Sequence, residues 1–165
     1  MNIKHKYFYL FIVFFVLIDQ GVKQFLINFF NIDTNLLIND FLLKANDYLN
    51  IVIVWNRGFA FGMLQNSIFN SNILNIFLIL SVIIFLFFYV RILNEKYYFY
   101  LFSMIIGGAI GNLIDRVLYG AVVDFIDLHY QNLHWYVFNI ADIYISIGCI
   151  LLILFEIKKK LTNHD

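Results

Sequence analysis

The chain has 165 residues, of which 62% are hydrophobic and only 13% are charged, and its mean hydropathy is +0.81. Soluble domains have about 45–50% apolar and about 25% charged residues, so this composition excludes an ordinary soluble domain and favours a membrane protein. The 11 basic residues balance the 11 acidic ones, and there is no basic cluster that would indicate a nucleic-acid partner.

Four segments are long and apolar enough to cross a bilayer, whose hydrocarbon core takes roughly 20 helical residues. We predict a single integral membrane domain covering residues 1–165. The predicted spans are residues 7–27, 73–93, 97–118 and 139–157, and the predicted extracytoplasmic loops are residues 28–72 and 119–138.

The first span begins after basic residues, as a signal peptide does. No small-x-small cleavage site follows its apolar run, and Asp19, Gln20 and Lys23 come next, so we interpret it as a retained helix. Asp19 and Lys23 are four residues apart, which places them on one helix face and predicts a structural ion pair near the outer end of the span.

Basic residues near the span ends predict the orientation. Seven of the 11 fall on one side of the four-span arrangement, namely Lys4, Lys6, Arg91, Lys96, Lys158, Lys159 and Lys160. By the positive-inside rule both termini face the cytoplasm and both loops lie outside. In the first loop, the β-branched run at 49–55 and the following Asn56-Arg57-Gly58 predict a short strand and a turn.

The last span contains the single cysteine, Cys149. Its neighbours are apolar, and no histidine lies near it in the sequence. We predict a buried structural thiol.

Asp124 and Asp142 flank the second loop, where two apolar segments meet polar residues. A carboxylate at the edge of hydrocarbon is costly, so two at neighbouring span ends predict a shared site at the outer interface. Two nearby carboxylates share a proton, and such a pair can activate water and polarise a carbonyl, as in aspartic proteases. Because Asp127 lies only three residues beyond Asp124, the residues alone leave it as an equal candidate.

Five motifs occur in order along the chain. They are Asp19-Gln-x-x-Lys23, Asn56-Arg-Gly-Phe-Ala-Phe-Gly62, Gly107-Gly-Ala-Ile-Gly-Asn-Leu-Ile-Asp-Arg116, Val122-Val-Asp-Phe-Ile126 and Phe138-Asn-Ile-Ala-Asp142. With these motifs, its length and its order of spans, the chain resembles the lipoprotein signal peptidase (signal peptidase II) family. The resemblance implies a mainly α, polytopic membrane protein with four transmembrane helices and a small extracytoplasmic β-sheet that cradles the substrate.

The resemblance also implies an activity. Such enzymes are aspartic endopeptidases of the bacterial inner membrane, and they cleave the signal peptide of a prolipoprotein just before a cysteine that carries a diacylglyceryl group. It implies Asp124 and Asp142 as the catalytic pair and so favours Asp124 over Asp127. It implies no cofactor and no metal, contact with membrane lipids, and a monomer.

Further residues are expected to support the site or bind substrate: Asn56, Gly58, Asn112, Asp115, Arg116, Asn139 and Ala141. Helical spacing places Asn112, Asp115 and Arg116 near one face. Asp115 is expected to offset the charge of Arg116, which then donates to a substrate carbonyl or a catalytic carboxylate. Asn139 either holds a backbone group in the site or caps the fourth helix.

Further features concern the packing of the helices and the shape of the expected pocket. Gly107 and Gly111 have the GxxxG spacing that lets helices pack closely. The chain departs from the family pattern at Phe59 and Ile143, which affects the expected pocket shape and not the reacting groups. Phe59 is bulky, and Ile143 replaces a residue that is frequently small.

Two alternative functions use the same residues. A metalloenzyme would use His129 and His134 with Asp124 or Asp127, but a five-residue gap in a loop is not the i, i+4 spacing of a helical zinc pair. An ion or proton carrier would also place carboxylates near the membrane, but these acids cluster at one interface and do not step across the bilayer.

Overall fold

The structure is a computed structural model that describes residues 3–37, 41–58, 71–93 and 95–162. In chain order its elements are α1 (Ile3–Phe29), β1 (Phe41–Lys44), β2 (Leu49–Asn56), α2 (Ser71–Ile92), α3 (Lys96–Tyr119), β3 (Val122–Tyr130), β4 (Leu133–His134) and α4 (Ile140–Thr162). All four helices are long and apolar enough to cross a membrane. The predicted mainly helical class, with four spanning helices and a small sheet, is confirmed.

Helix α3 is the centre of the bundle and contacts the other three helices. In its most apolar stretch 56% of the residues are buried, against 11% in α2 and in α4. Glycines make the close contacts: Gly107 and Gly111 lie against Phe15 and Asp19 of α1, and a Cβ added to Gly108 would lie 2.6 Å from the carbonyl oxygen of Ala141 in α4. The predicted close packing at the GxxxG motif is therefore confirmed, because side chains at these positions would push α1 and α4 away.

The outer helices expose apolar side chains where a soluble protein would not. Cys149 in α4 is one of these exposed residues, so the predicted buried thiol is wrong. In a helix that crosses a membrane, an apolar neighbourhood indicates contact with lipid as readily as burial in protein. Periodicity alone therefore does not separate the two environments.

The four strands form one antiparallel sheet in the order β1-β2-β3-β4. The strand predicted at 49–55 is β2, but the segment 119–138, predicted as a loop, contains β3 and β4. Its residues 122–126 are β-branched or aromatic apart from one aspartate, which favours a strand. One core cluster lies where the sheet meets the helices, and it contains Ile27, Ile53, Trp55, Ala121, Val123 and Phe125.

The turn between α3 and β3 is short and well defined. Gly120 ends the helix with a φ of 72°, and its N–H donates to the carbonyl oxygen of Arg116 at 3.1 Å. A left-handed residue at this position is what glycine accepts without strain. Strand β3 therefore starts at a fixed position relative to α3, which determines where Asp124 lies.

Candidate active site

Asp124 lies on β3 and is 2% exposed. Its Oδ2 accepts a hydrogen bond from Asn56 Nδ2 at 2.9 Å, and its Oδ1 accepts one from Asn139 Nδ2 at 2.6 Å. Burial and, secondly, the negative charge of Asp142 raise the pKa of Asp124 to about 7, although the hydrogen bonds from the two asparagines oppose this shift. Asp124 is therefore the carboxyl group that retains a proton at mildly acid pH.

Asp142 lies in the first turn of α4 and takes part in its N-terminal cap. The Asp142 N–H donates to Asn139 Oδ1 at 3.0 Å, and Asp142 Oδ2 accepts from the Asn139 N–H at 3.3 Å. This reciprocal arrangement is a capping box with aspartate in the place of glutamate. It holds the carboxylate in one orientation, and Asn112 Nδ2 adds a hydrogen bond to Asp142 Oδ1 at 2.9 Å.

Asn139 connects the two aspartates directly. It caps α4 through its Oδ1, while its Nδ2 donates to Asp124 and also to Asn112 Oδ1 at 3.1 Å. Both roles that the sequence left open for Asn139 are therefore present together. Asn139, Asn112 and Asp142 form a closed ring of hydrogen bonds, and Asn139 joins Asp124 to it. We call this group of four residues the aspartate ring.

Lys23 lies beneath the aspartate ring and is fully buried. Its Nζ lies 2.8 Å from Asp19 Oδ2 and 2.7 Å from Asp115 Oδ2, and it donates to Asn112 Oδ1 at 3.1 Å. The expected ion pair of Lys23 with Asp19 is therefore present, and Asp115 forms a second ion pair with Lys23. We call Lys23, Asp19 and Asp115 the Lys23 triad. It joins α1 to α3 in the interior of the bundle.

The two carboxylates of the Lys23 triad also hold backbone amides. Asp115 Oδ2 accepts from the N–H of Val123 at 3.2 Å, and Asp19 Oδ1 accepts from the N–H of Ala141 at 3.0 Å. These two amides belong to the residues immediately before Asp124 and Asp142. The triad thereby fixes the backbone next to each member of the pair, and Ala141 contributes through its main chain.

Arg116 makes no direct ion pair with Asp115 in the described part of the chain, although the negative charge of Asp115 still favours the charged guanidinium. Consecutive helical residues do not face each other, and Asp115 is directed toward Lys23. Arg116 Nη2 donates instead to the carbonyl oxygen of Gly58 at 2.7 Å. Its Nε and Nη1 are buried and have no hydrogen-bond acceptor within the described ranges.

The turn after β2 approaches both Asp124 and Arg116. Asn56 Oδ1 accepts from the Gly58 N–H at 3.1 Å, while the Asn56 amide nitrogen donates to Asp124. Gly58 is buried, and its carbonyl oxygen also accepts from Asn75 Nδ2 of α2 at 3.4 Å. The rest of this motif, at residues 59–62 and including Phe59, lies outside the described residues.

Three amide side chains near the site were missed by the sequence reasoning. Gln20 Nε2 donates to Asp115 Oδ1 at 2.8 Å, and Asn72 Nδ2 donates to the carbonyl oxygen of Arg116 at 3.1 Å. The third is Asn75, which is 3% exposed. An amide inside an apolar span is a signal that could have found Gln20 and Asn75, because polar groups there face protein partners. Asn72 falls in the segment that was predicted as a loop, so this signal does not apply to it.

Asp127 belongs to a different cluster. Residues three apart on a strand point to opposite faces, so Asp127 does not share the face of Asp124. Its carboxylate lies 3.0 Å from His134 Nδ1 and accepts from Asn50 Nδ2 at 2.8 Å. Burial raises the pKa of Asp127, but the hydrogen bonds from Asn50 and His134 outweigh it and hold the pKa below its ordinary value.

Comparison with known proteins agrees with this architecture. Residues 11–158 match the family model described as signal peptidase (SPase) II. The lipoprotein signal peptidase of Pelagibacter ubique is 39% identical over 170 residues, which cover 99% of this chain and 97% of that protein. The lipoprotein signal peptidase of Thermodesulfovibrio yellowstonii is 40% identical, and the match covers 87% of this chain and 90% of that protein.

Solved structures agree as well. A bacterial membrane enzyme determined by the in meso method at 2.3 Å has a TM-score of 0.77 at 29% identity, covering 94% of this chain and 90% of that one. Another, at 1.9 Å, has a TM-score of 0.72 at 31% identity, covering 93% and 94%. With its four apolar helices this is a multi-pass bacterial membrane protein, and the chain belongs to the signal peptidase II family.

Proposed function

We propose that this protein is an aspartic endopeptidase that removes signal peptides from prolipoproteins, cutting just before a cysteine that carries a diacylglyceryl group. Family membership supports the cleavage of prolipoprotein signal peptides. The observation that carries the aspartic mechanism is the aspartate ring, in which Asn139 hydrogen-bonds to both Asp124 and Asp142.

The two carboxyl groups take different roles because their surroundings differ. Asp124 is the more buried member and holds the shared proton. Asp142 accepts a proton from a water molecule as the water oxygen attacks the carbonyl carbon of the scissile bond. Asp124 donates a hydrogen bond to the carbonyl oxygen as it gains negative charge. The proton held by Asp142 then passes to the leaving amine, and no covalent intermediate or cofactor is needed.

Arg116 is proposed to bind the substrate backbone. Its buried Nε and Nη1 carry N–H groups without an acceptor in the described parts of the chain, and its Nη2 is tied to Gly58. A buried donor without a partner is costly, so a carbonyl oxygen of the bound peptide would satisfy it. A peptide bound in this way would lie between the turn at Asn56 and Gly58 and the aspartate ring.

The charges at the opposite end of the bundle support the proposed orientation. Lys159 of α4 lies 2.9 Å from Glu95, which precedes α3, so these basic helix ends lie together. By the positive-inside rule this end and both termini face the cytoplasm, and the site faces the outside of the inner membrane. The enzyme is proposed to act as a monomer. The acyl chains of its substrate remain in the outer part of the bilayer and thereby orient the cleavage point at the site.

Cleavage should decline as the pH rises through about 7. Asp124 has its pKa raised from 3.8 to about 7, so the shared proton is present below this value and is lost above it. The same shift stabilises the fold fully below pH 3.8, and this contribution disappears as the pH rises through about 7. Initial rates with a lipid-modified precursor would be measured from pH 5 to 9, with circular dichroism confirming that the protein stays folded. A rate that is constant over this range would contradict a shared proton.

The decisive test of the substrate uses two precursors of the same sequence. We expect the purified protein to cleave a diacylglyceryl-modified prolipoprotein, in the presence of a metal chelator, and to leave the unmodified precursor intact. Mass spectrometry of the released peptide would locate the cut. Equal cleavage of both precursors would disprove the lipid requirement, and cleavage of neither would disprove the proposed activity.

A further inference from the structure

The hairpin formed by β3 and β4 holds two histidines and an aspartate that the proposed reaction does not use. They are Asp127, His129 and His134, and each offers a ligand atom within 4.8 Å of the others. The imidazole rings of His129 and His134 are nearly parallel, with centroids 5.1 Å apart. Asp127 is buried, His129 is half-buried and His134 is exposed, so the cluster is reachable from solvent.

Strand pairing explains why these three residues meet. His129 and His134 are directly paired across the hairpin, and Tyr130 pairs with Leu133, leaving a two-residue turn. Directly paired residues point to the same face with neighbouring Cβ atoms. Asp127 lies two residues before His129 on the same strand and thus on the same face. The cluster is therefore a consequence of the register of the sheet.

The neighbouring strand supplies a supporting side chain. Asn50 of β2 pairs with Asp127 in the sheet register. Asn50 Nδ2 donates to Asp127 Oδ2 at 2.8 Å and lies 3.3 Å from His129 Nδ1. Metal-binding carboxylates are generally held by a second group of this kind, which fixes the orientation of the ligand.

The donor set suits a particular class of ion. Two imidazoles and one carboxylate are ligands that zinc prefers, and three protein ligands leave a fourth tetrahedral position for water. Ligand atoms about 2.1 Å from the ion lie about 3.4 Å from one another in a tetrahedron. His134 Nδ1 already lies 3.0 Å from both oxygens of Asp127. The remaining ligand atoms lie within 4.8 Å of one another, so small side-chain rotations would be needed to reach this spacing.

We propose that Asp127, His129 and His134 form a binding site for a divalent transition-metal ion of the zinc type, separate from the aspartate ring. The ion cross-links β3 to β4 and thereby fixes the hairpin. Phe138 pairs with Ile126 on the same strand, so the bound ion also steadies the chain that leads from the hairpin into α4. Its role is structural, and the cleavage chemistry does not pass through it.

The test uses the full chain without an affinity tag, purified in detergent and stripped of metal. Zinc would be titrated in competition with a chromophoric chelator, and cobalt would be added separately to record its visible absorption spectrum. We expect one equivalent of zinc per chain, a tetrahedral cobalt spectrum, and a higher thermal unfolding midpoint with zinc. Each of His129→Ala, His134→Ala and Asp127→Asn should weaken zinc binding at least about tenfold, and Asn50→Ala about 10–100-fold.

His5→Ala is the matched control, because it removes a histidine from α1 far along the chain from the hairpin. It should leave zinc affinity and the cobalt spectrum unchanged. Failure of the unsubstituted chain to bind one equivalent would overturn the proposal, whatever the folding state of the variants. Unchanged affinity in His129→Ala and His134→Ala, or loss of binding in His5→Ala, would overturn it equally.

Discussion

Replacing Asp124 with asparagine is expected to abolish processing of a lipid-modified precursor, and Asp142→Asn should do the same. An amide preserves the size of the side chain, and its single oxygen can keep one of the two hydrogen bonds that each carboxylate accepts. It does not take a proton from water or hold the shared proton. Removing one partner from general acid–base catalysis should lower the single-turnover rate on the order of 10³-fold. Gel analysis of precursor loss would measure this rate.

Asp33→Asn is a matched control for these substitutions. Asp33 is exposed, and its carboxylate is held by the backbone and side chain of Asn35 within one local turn. This variant should cleave at the rate of the unsubstituted protein. If a folded Asp124→Asn or Asp142→Asn variant kept more than about a tenth of that rate, the assignment of the pair would be wrong.

Lys23→Met should cause the largest loss of stability. Methionine has a similar length and no charge, so Asp19 and Asp115 would remain buried with no cation between them. Breaking a buried ionic cluster in this way costs about 3–5 kcal/mol in the free energy of unfolding. Denaturant or thermal unfolding in detergent would measure the difference. Cleavage should fall as well, because Asp19 and Asp115 hold the amides next to the aspartate pair.

Two further variants show whether charge is the cause. Lys160→Met removes an exposed lysine from the end of α4 and should change the free energy of unfolding by less than about 1 kcal/mol. The double variant Lys23→Met/Asp115→Asn should be more stable than Lys23→Met alone, because it removes one of the uncompensated charges. Equal stability of Lys23→Met and Lys160→Met would contradict an ionic role for the Lys23 triad.

The spanning helices were predictable because about 20 apolar residues in a row are a strong local signal. The ends of the helices were less predictable. The fourth span was predicted at 139–157, whereas α4 continues to Thr162. The lysines at 158–160 are good helix formers, and they continue the helix beyond its apolar part. Hydropathy marks the apolar length of a helix, not the point where its hydrogen bonding stops.

The proximity of Asp124 and Asp142 was predictable, but their surroundings were not. Carboxylates at two neighbouring span ends suggested one site, and the family motifs selected Asp124. Asp19 was deduced as a partner of Lys23, but the partners of Lys23 on α3 could not be, because Lys23 and Asn112 are 89 positions apart and no local period relates them. The hairpin was missed because the spacing of His129 and His134, five positions apart, was compared only with helical spacing. In a hairpin with a two-residue turn, residues at this spacing are direct partners across the two strands.

The distribution of the site along the chain has a consequence for biosynthesis. Asp19 and Lys23 lie on α1, which is synthesised before α4, whereas Ala141 and Asp142 lie on α4. A nascent chain that has inserted three helices contains the Lys23 triad, but Asp19 has no Ala141 amide to bind and Asp124 has no second carboxylate beside it. Under the proposed mechanism, proteolytic competence therefore begins only when α4 enters the membrane, and an unfinished chain is expected to be inert toward the signal peptides around it.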